Sequence, residues 1–315
     1  MLLVGRLGLF LLARSGLFAG YFSAWRWAIF DRAQQLGMHI LPVHYYSPIP
    51  DVSQLDVDDQ TPKYFGADAQ TLDRATEDLR DFVQTYGEAY ARIAQRAPYH
   101  DDGDISEFRF GMAPYATVEA EVLYGLIRSH KPAQIVEIGC GHTTLLIAEA
   151  IRDEAGYTPV FECIEPYRPA YLKELPSEVT AFKDVALQTV ALERFEQLEA
   201  GDILFIDSSH VVGYGSDVVY EILSILPRLK PGVLVHVHDI FLPYEYPNDW
   251  ILRSKFFWTE QYMLAALVQD NPRYRVRYPL HQLYRERSDD MHQLFPRLAE
   301  PGYKPGAYWI EIASP

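Results

Sequence analysis

The chain has 315 residues, of which 49% are hydrophobic and 23% are charged, as is typical of a soluble globular protein with a sizeable core. Its formal net charge of −15 and its lack of a basic stripe argue against a nucleic-acid partner and favour a small-molecule substrate. Cys140 and Cys163 are its two cysteines, too few for a disulfide framework or a zinc-type spacing, so a reducing cytoplasm is the expected compartment.

The first segment in chain order is apolar. Residues 7–25, LGLFLLARSGLFAGYFSAW, are long enough to span a bilayer, but Arg14 near the middle costs about 2.5–3.5 kcal/mol on insertion. The segment also lacks the small-residue cleavage site of a secretory signal. Two interpretations stay open: a helix that packs on its own domain or on a second subunit of a homo-oligomer, or an amphipathic anchor peripheral to the inner face of a membrane.

A helical extension is predicted before the main domain. Residues 38–66 are rich in proline, acids and turn residues, which predicts irregular structure. From residue 68 to residue 95 apolar side chains recur every three or four positions, which predicts a long amphipathic helix. A second helix is predicted over 117–129, where a lysine–proline pair ends it. We therefore expect an N-terminal extension, or cap, over residues 1–114.

From residue 115 to residue 315 strands and helices alternate. Short, continuous apolar runs predict strands that are buried on both faces. The repetition of strand and helix predicts an α/β fold with a doubly wound, Rossmann-like parallel sheet. The five predicted parallel strands are 134–138, 159–164, 179–183, 202–206 and 233–237, separated by helices near 143–153, 168–174, 189–197 and 216–226, and followed by a helix near 259–269 and late strands near 273–278 and 307–313.

The turn after the first predicted strand carries two glycines, in the stretch EIGCGHTT. In a sheet of this kind ligands bind beyond the carboxyl ends of the strands, and Gly139 and Gly141 would let the main chain approach such a ligand closely. The dinucleotide-binding pattern G-x-G-x-x-G is not matched, because Thr144 stands where the third glycine would be. Glu137 would repel a pyrophosphate and suits a cation such as a sulfonium, so a nicotinamide cofactor is not expected.

These residues resemble the first motif of the class I S-adenosylmethionine-dependent methyltransferases, in which an acid precedes glycines at alternate positions after the first strand. Glu137, Gly139 and Gly141 match this motif, with Thr143 where a third glycine is common. The resemblance implies S-adenosylmethionine (SAM) as the cofactor. It covers residues 115–245 well and the remainder of the chain loosely.

Further markers of the family follow in order along the sequence. Glu165, which follows the second strand in FECIEP, would hold the ribose hydroxyls, and Asp184, in KDVALQ, would meet the adenine amino group. Asp207, after the fourth strand, would lie between the cofactor and the active site. The resemblance therefore implies a cofactor site formed by Glu137, Gly139, Gly141, Glu165, Asp184 and Asp207.

Titratable side chains gather after the fourth and fifth predicted strands, in IDSSH and HVHD. Because neighbouring strands place their carboxyl ends together, Asp207, His210 and Asp239 are expected to converge. Two carboxylates and an imidazole can hold a divalent metal, which is Mg²⁺ if oxygen ligands dominate. The metal-dependent O-methyltransferases of the family use acids at these strand ends, with an asparagine where this chain has Ile240.

The same cluster also allows catalysis without a metal. His210 or His238 could act as general base on a hydroxyl, with Asp239 beside them, because imidazole titrates near neutral pH. His236 is expected to be a buried strand histidine with a backbone partner. Residues 241–250, FLPYEYPNDW, are either a lid over an apolar substrate or a packed loop.

We interpret the sequence as a SAM-dependent methyltransferase that acts on a hydroxyl of a small molecule, such as a sugar or a secondary metabolite. Two alternatives use the same fold. One is a cephalosporin-hydroxylase-like enzyme, which a dependence on Fe²⁺ and 2-oxoglutarate would identify. The other is a non-catalytic methyltransferase-like partner docked at a membrane through its N-terminal helix, which would lose support if the first 30 residues were dispensable for localisation.

Overall fold

The computed structural model describes residues 24–96, 107–109, 115, 117–172, 174–299 and 303–314. The chain divides into two compact units, one formed by Asp59–Pro247 with Trp258–Pro315 and the other by the residues before Asp59 with Asn248–Phe257. The larger unit begins well before residue 115. The division into an extension over 1–114 and a domain over 115–315 stays a prediction.

The smaller unit holds helix α1 (Ala24–Gln34), a 3-10 turn (Val52–Gln54) and a π-helical turn (Trp250–Ser254). Almost all of the predicted apolar segment 7–25 lies outside the described residues. Among the residues that are described, no helix is both long and apolar enough to cross a membrane.

The larger unit is built on one mixed sheet, and in the described part of the chain this sheet has seven strands in the order β3-β2-β1-β4-β5-β7-β6. Strands β1 to β5 pair in parallel, whereas β7 pairs antiparallel with both β5 and β6. The strands are β1 (Gln134–Ile138), β2 (Val160–Ile164), β3 (Ala181–Lys183), β4 (Ile203–Ile206), β5 (Leu234–Val237), β6 (Tyr274–Pro279) and β7 (Tyr308–Ile312). The predicted α/β fold with a Rossmann-like sheet is confirmed.

Both faces of the sheet are covered by apolar side chains. On β1, Ile135 belongs to a core cluster with the helical residues Leu123 and Leu146, whereas Val136 belongs to a second cluster with Leu226. Because successive side chains of a strand point to opposite faces, the two clusters lie on opposite sides of the sheet. This explains why the strands read as continuous apolar runs rather than as alternating ones.

Two helices precede β1, as the sequence predicts. Helix α2 (Ala69–Ala94) begins after Asp68, whose carboxylate accepts a hydrogen bond from the backbone N–H of Thr71 at 2.7 Å and so caps the helix. Helix α3 (Thr117–His130) packs against α2 and follows it along the chain. The buried apolar side chains of α2 are Leu72, Ala75, Leu79, Tyr90 and Ile93.

Short helices connect the later strands. The region predicted as one helix over 216–226 is an α-helical turn, a π-helical turn (Glu221–Ile225) and a 3-10 turn (Leu226–Arg228) in succession. The helices of this part are α4 (His142–Arg152), α5 (Glu193–Glu196), α6 (Asp217–Tyr220), α7 (Glu260–Val268), α8 (Leu280–Glu286) and α9 (Ser288–Leu294).

Two helix predictions need correction. The stretch 168–174 forms turns and bends in its described residues instead of a helix. Pro169 disfavours helical backbone angles in the residue before it, Arg168, but nothing in the structure explains the rest of the stretch. The helix predicted over 189–197 is reduced to the short α5, with a 3-10 turn (Leu187–Thr189) before it.

Candidate functional site

Two cavities open at the carboxyl edge of the sheet, and both are lined by Gly139, Glu165 and Asp207. The first, of about 240 Å³, extends over the start of α4 and the end of β5. The second, of about 360 Å³, extends over the ends of β2 and β3 toward residues 186–188. The additional residues of the first cavity are Tyr115, Cys140, Gly141, His142, Thr143, Tyr171, His238 and Asp239.

The turn between β1 and α4 forms the shared wall of the two cavities. Gly139 has a φ of +80°, and a Cβ atom added to it would lie 1.7 Å from the carbonyl oxygen of Asp207. A side chain is therefore impossible at this position without moving β4. Gly141 lies next to Tyr171, whose hydroxyl would be 3.1 Å from an added Cβ. The main chain of the turn is thus exposed to the first cavity.

Glu137 lies beneath this turn and lines neither cavity. Its buried carboxylate accepts hydrogen bonds from the hydroxyls of Thr143 at 2.6 Å and Thr144 at 2.7 Å. Burial raises its pKa to about 7, although these hydroxyls oppose the shift. The structure therefore gives Glu137 a position different from the predicted one: it holds the first turn of α4 in place and does not face a ligand.

Glu165 occupies the predicted position at the end of β2. Its half-buried carboxylate lines both cavities and accepts hydrogen bonds from the backbone N–H groups of Cys140 at 3.3 Å and Tyr167 at 2.5 Å. These contacts fix the carboxylate while leaving it accessible from the cavities. A carboxylate held in this way can accept hydrogen bonds from two neighbouring hydroxyls of a ligand.

Asp184 does not reach the site. It is exposed and lines neither cavity, because β3 ends at Lys183 and the chain turns outward directly after it. Three residues that follow it, Ala186, Leu187 and Gln188, line the second cavity instead. The proposed contact of Asp184 with an adenine amino group therefore has no support from its position.

Asp207, His238 and Asp239 line the first cavity together, whereas the sequence predicts the convergence of Asp207 and Asp239 with His210. Nε2 of His238 lies 3.5 Å from Oδ1 of Asp239, and Asp239 has a left-handed backbone with a φ of +56°. The backbone N–H of Asp207 donates to the carbonyl of Ile138 at 2.9 Å, which continues the pairing of β4 with β1 beyond the strand ends.

His210 lies behind these residues and lines neither cavity. Its Nε2 atom is 3.3 Å from Oδ1 of Asp207 and 3.7 Å from Oδ2 of Asp239. Its Nδ1 atom is 2.9 Å from Oε2 of Glu260, and its ring packs against Trp258 at 4.3 Å between ring centroids. The predicted convergence of Asp207, His210 and Asp239 is therefore present, with the imidazole as the shared neighbour of both carboxylates.

The charges of this cluster shift the ionisation of its members. Burial alone would lower the pKa of His210, but hydrogen bonds and charges from Asp207 and Glu260 raise it well above its usual value of 6.5. Burial likewise opposes a charged His238, yet Asp239 and Asp207 raise its pKa. Burial raises the pKa of Asp239, whereas the nearby imidazoles outweigh burial at Asp207 and lower its pKa.

A further buried acid, Glu119 on α3, lies on the other side of His238. Its Oε1 atom is 3.9 Å from Nδ1 of His238 and accepts a hydrogen bond from the backbone N–H of Gly306 at 2.7 Å. Its Oε2 atom accepts from the hydroxyl of Tyr303 at 2.7 Å. Burial raises the pKa of Glu119 to about 7. Neither Glu119 nor Glu260 was predicted, since in sequence each is an ordinary acid in the first turn of a helix.

His236 is buried on β5, as predicted, and the contact of its ring with the backbone of Ile206 falls short of normal hydrogen-bond geometry. Its ring stacks on Phe205 at 4.0 Å and is nearly parallel to it. Within the described residues, neither ring nitrogen of His236 has a hydrogen-bond partner of normal geometry. Burial lowers its pKa well below the usual value, so it is a neutral packing residue.

The donor types of Asp207, Asp239 and His210 suit a divalent cation, but their ligand atoms do not all lie within 4.8 Å of one another in the described structure. Nδ1 of His210 is engaged by Glu260, so only Nε2 could bind a metal. The three residues do not form a preformed metal site, and their assignment as metal ligands stays a prediction.

Among the described residues, a different group has ligand atoms that all lie within 4.8 Å of one another. It consists of Glu137, Cys140 and Cys163. Burial raises the pKa of the Cys140 thiol, and the contact with Cys140 together with burial raises that of Cys163. Thiols that resist ionisation are poor metal ligands. The carboxylate of Glu137 is also occupied by two threonine hydroxyls.

Residues 241–247 form a packed loop. Phe241, Leu242, Tyr244 and Tyr246 are buried, and none of them lines either cavity. The side chain of Gln261 on α7 accepts a hydrogen bond from the backbone N–H of Phe241 at 3.1 Å. Of the two interpretations of this part of the loop, packing is supported.

Part of the chain matches a known family model. Residues 136–240 match the family model of a methyltransferase domain, which spans the glycine turn and ends directly after Asp239. Among curated proteins, none matches this sequence.

Several solved methyltransferases are similar in structure at low sequence identity. The SAH-bound methyltransferase PaMTH1 of Podospora anserina has 16% identity and a TM-score of 0.38, with 81% of this chain and 100% of that chain covered. An O-methyltransferase of Bacillus cereus in complex with SAH has 14% identity and a TM-score of 0.37, with 79% and 92% covered. The O-methyltransferase TomG of Streptomyces achromogenes, in complex with SAM, has 12% identity and a TM-score of 0.41, with 79% and 92% covered.

Proposed function

We propose that this chain, which carries a class I SAM-dependent methyltransferase domain, transfers the methyl group of SAM to a hydroxyl oxygen of a small molecule. One observation supports this most strongly. Two carboxylates and an imidazole, from Asp207, Asp239 and His238, line the same cavity as the glycine turn of the cofactor motif. Groups that can remove a proton are thus placed beside the expected methyl donor.

The cofactor would occupy the two connected cavities. Gly139 and Gly141 would let the main chain approach its methionine part, and the carboxylate of Glu165 would accept hydrogen bonds from its ribose hydroxyls. Residues 186–188 would border its adenine. Asp207, which lines both cavities, would attract the positive sulfonium. When bound, the cofactor supplies an electrophilic methyl group for an in-line displacement, in which alignment provides much of the rate.

Proton removal from the acceptor would fall to the cluster at the ends of β4 and β5. His238 and Asp239 line the cavity directly, and Nε2 of His210 lies 3.7 Å from Asp239. An imidazole can take the proton only while it is neutral, and Asp207 raises the pKa of both histidines, so the base acts at a pH above that pKa. The carboxylates of Asp207 and Asp239 stabilise the cation that then forms. This chemistry needs no metal. If a divalent cation also binds, Asp207, Asp239 and His210 would hold it, and it would lower the pKa of the acceptor hydroxyl.

The walls of the first cavity suit an acceptor with both hydroxyls and apolar faces, such as a sugar or a phenolic secondary metabolite. The rings of Tyr115, Tyr171 and His142 offer flat apolar surfaces, and the last two stack at 4.4 Å. Asp239 offers an acceptor for hydroxyl protons.

This function can be tested by incubating the protein with SAM and a panel of hexoses, deoxysugars, phenols and catechols, and by detecting methyl ethers by mass spectrometry. His210→Ala and His238→Ala should each lower kcat roughly 10²–10⁴-fold, the usual contribution of general acid–base catalysis. The exposed His292 on α9 supplies the control, and His292→Ala should leave kcat unchanged. Methyl transfer by His238→Ala and His210→Ala at the wild-type rate would contradict the proposed role of the cluster.

A further inference from the structure

We propose that Glu260 is a positioning residue for His210, one that fixes the imidazole so that Nε2 faces the two carboxylates at the ends of β4 and β5. This inference rests on the proposed function, because the orientation of His210 matters for methyl transfer only if the reaction takes place there. Glu260 belongs to α7 and lies outside the segment 136–240 that matches the methyltransferase family model.

The contact between Glu260 and His210 is short and buried. Oε2 of Glu260 lies 2.9 Å from Nδ1 of His210, and the two residues are 1% and 6% exposed. At such burial a hydrogen bond is worth more than at the surface, and leaving either group unpaired is costly. The carboxylate thus determines which ring nitrogen is free to act elsewhere.

The main chain supports the same pairing. The backbone carbonyl of His210 accepts hydrogen bonds from the N–H groups of Thr259 at 2.9 Å and of Glu260 at 3.2 Å. His210 itself adopts a left-handed backbone with a φ of +60°, which non-glycine residues adopt only where their surroundings require it. The first turn of α7 is therefore attached to His210 through both main chain and side chain.

Groups from every neighbouring element surround the imidazole. Asp207 and Asp239 face Nε2 from the ends of β4 and β5, Glu260 faces Nδ1, and the Trp258 ring covers one side. With Nδ1 engaged, Nε2 is the ring nitrogen that faces Asp207 and Asp239, the two carboxylates that line the first cavity. In the neutral ring, the shorter contact at Nδ1, 2.9 Å to Glu260 against 3.3 Å from Nε2 to Asp207, favours the proton on Nδ1 and a lone pair on Nε2.

A glutamine at position 260 tests this requirement, because it keeps the size of the side chain and removes its charge. The amide NH₂ of Glu260→Gln can donate to Nδ1, and the proton of the neutral ring would then move to Nε2, where the carboxylates of Asp207 and Asp239 accept it. Nε2 of His210 would then already carry the ring proton and could not accept another.

Glu221 supplies a matched control. It is also fully buried, and its carboxylate accepts a hydrogen bond from the Ser208 hydroxyl at 3.2 Å rather than from His210. Burial and the charge of Glu260 raise its pKa well above the usual value, which favours the neutral form that a glutamine resembles.

The tautomer can be read without an acceptor substrate, from ¹⁵N–¹H spectra of the imidazoles in the full-length protein at the alkaline end of a pH titration. We expect the neutral His210 to carry its proton on Nδ1 in the wild type and in Glu221→Gln, and on Nε2 in Glu260→Gln. With an acceptor found by the panel, Glu260→Gln should lower kcat about 10- to 100-fold while the KM for SAM changes less than about threefold.

A wild-type spectrum with the proton of neutral His210 on Nε2 would overturn the proposal, whether or not the variants fold. An unchanged tautomer in Glu260→Gln, or an equal change in Glu221→Gln, would overturn it as well. Failure of the proposed function is a separate result, namely absence of methyl transfer and of S-adenosylhomocysteine binding in a wild type whose His210 carries its proton on Nδ1.

Discussion

At the scale of single residues, Gly139 is the glycine of the site that tolerates a side chain least. We expect Gly139→Ala to lower the free energy of unfolding well beyond the cost of a left-handed alanine, about 1–2 kcal/mol, because the added Cβ would lie 1.7 Å from the carbonyl of Asp207. Gly156 is the matched control, since it has a φ of +76° and no heavy atom within 4 Å of an added Cβ. Urea unfolding of both variants measures the difference. Equal losses of unfolding free energy in the two variants would show that the protein relieves the contact with Asp207 at no cost in stability.

Glu137 makes a second prediction at this scale, through the pH dependence of stability. Its folded pKa of about 7 lies above its usual value of 4.5, so the folded state binds the proton more tightly than the unfolded state. Its contribution to stability is therefore fully present below pH 4.5 and is lost as the pH rises to 7. Relative to Glu137→Gln, the wild type should lose up to about 3 kcal/mol over this range, measured by denaturant titration at each pH. Parallel stability curves for the two proteins would contradict the burial-shifted pKa.

At the scale of elements, α3 is attached to the C-terminal part of the chain through Glu119. Its carboxylate accepts from the Tyr303 hydroxyl and from the backbone of Gly306, and the carbonyl of Gly306 accepts from the N–H of Ile240 at 2.7 Å. This attachment places the C-terminal segment directly against Asp239, since a Cβ atom added to Gly306 would lie 3.2 Å from the Cα atom of Asp239. The carboxyl end of β5 is thus supported from two distant parts of the sequence.

Removal of Glu119 should therefore cost more than removal of one of its partners. We expect Glu119→Ala to lower the free energy of unfolding by about 2–3 kcal/mol, because it leaves buried donors unpaired, and Tyr303→Phe to lower it by about 1 kcal/mol. Urea unfolding at pH 7 measures both. Similar losses in the two variants would show that the Gly306 contact contributes nothing.

The elements differed in how well the sequence predicted them. The five parallel strands were predicted because a strand covered on both faces is apolar throughout, and this pattern survives in any tertiary context. The helix over 168–174 was predicted wrongly, and Pro169 explains this only for Arg168, whose helical backbone angles it disfavours. The interrupted helix at 216–226 shows a further limit, since hydrophobic spacing does not distinguish α-helical from π-helical turns.

At the scale of the whole molecule, the site combines residues that chain topology brings together from far apart. The convergence of Asp207, His210 and Asp239 was predictable because these residues follow strands whose carboxyl ends share an edge. Glu119 and Glu260 were not, because their burial beside the histidines depends on the packing of α3 and α7 against that edge. Asp184 was misplaced for a related reason: a sequence motif gives the position in the chain but not the direction of the side chain.

The assignment of a SAM site to the carboxyl edge of the sheet is tested most directly by calorimetric titration of the protein with S-adenosylhomocysteine, with and without EDTA. Wild type and the control Glu174→Ala, which changes an exposed acid outside both cavities, should bind with micromolar Kd. Glu165→Ala should bind about 10- to 100-fold more weakly, because it loses charge-assisted hydrogen bonds to the ribose. Absence of binding to the wild type, or unchanged affinity in Glu165→Ala, would contradict the cofactor site described here.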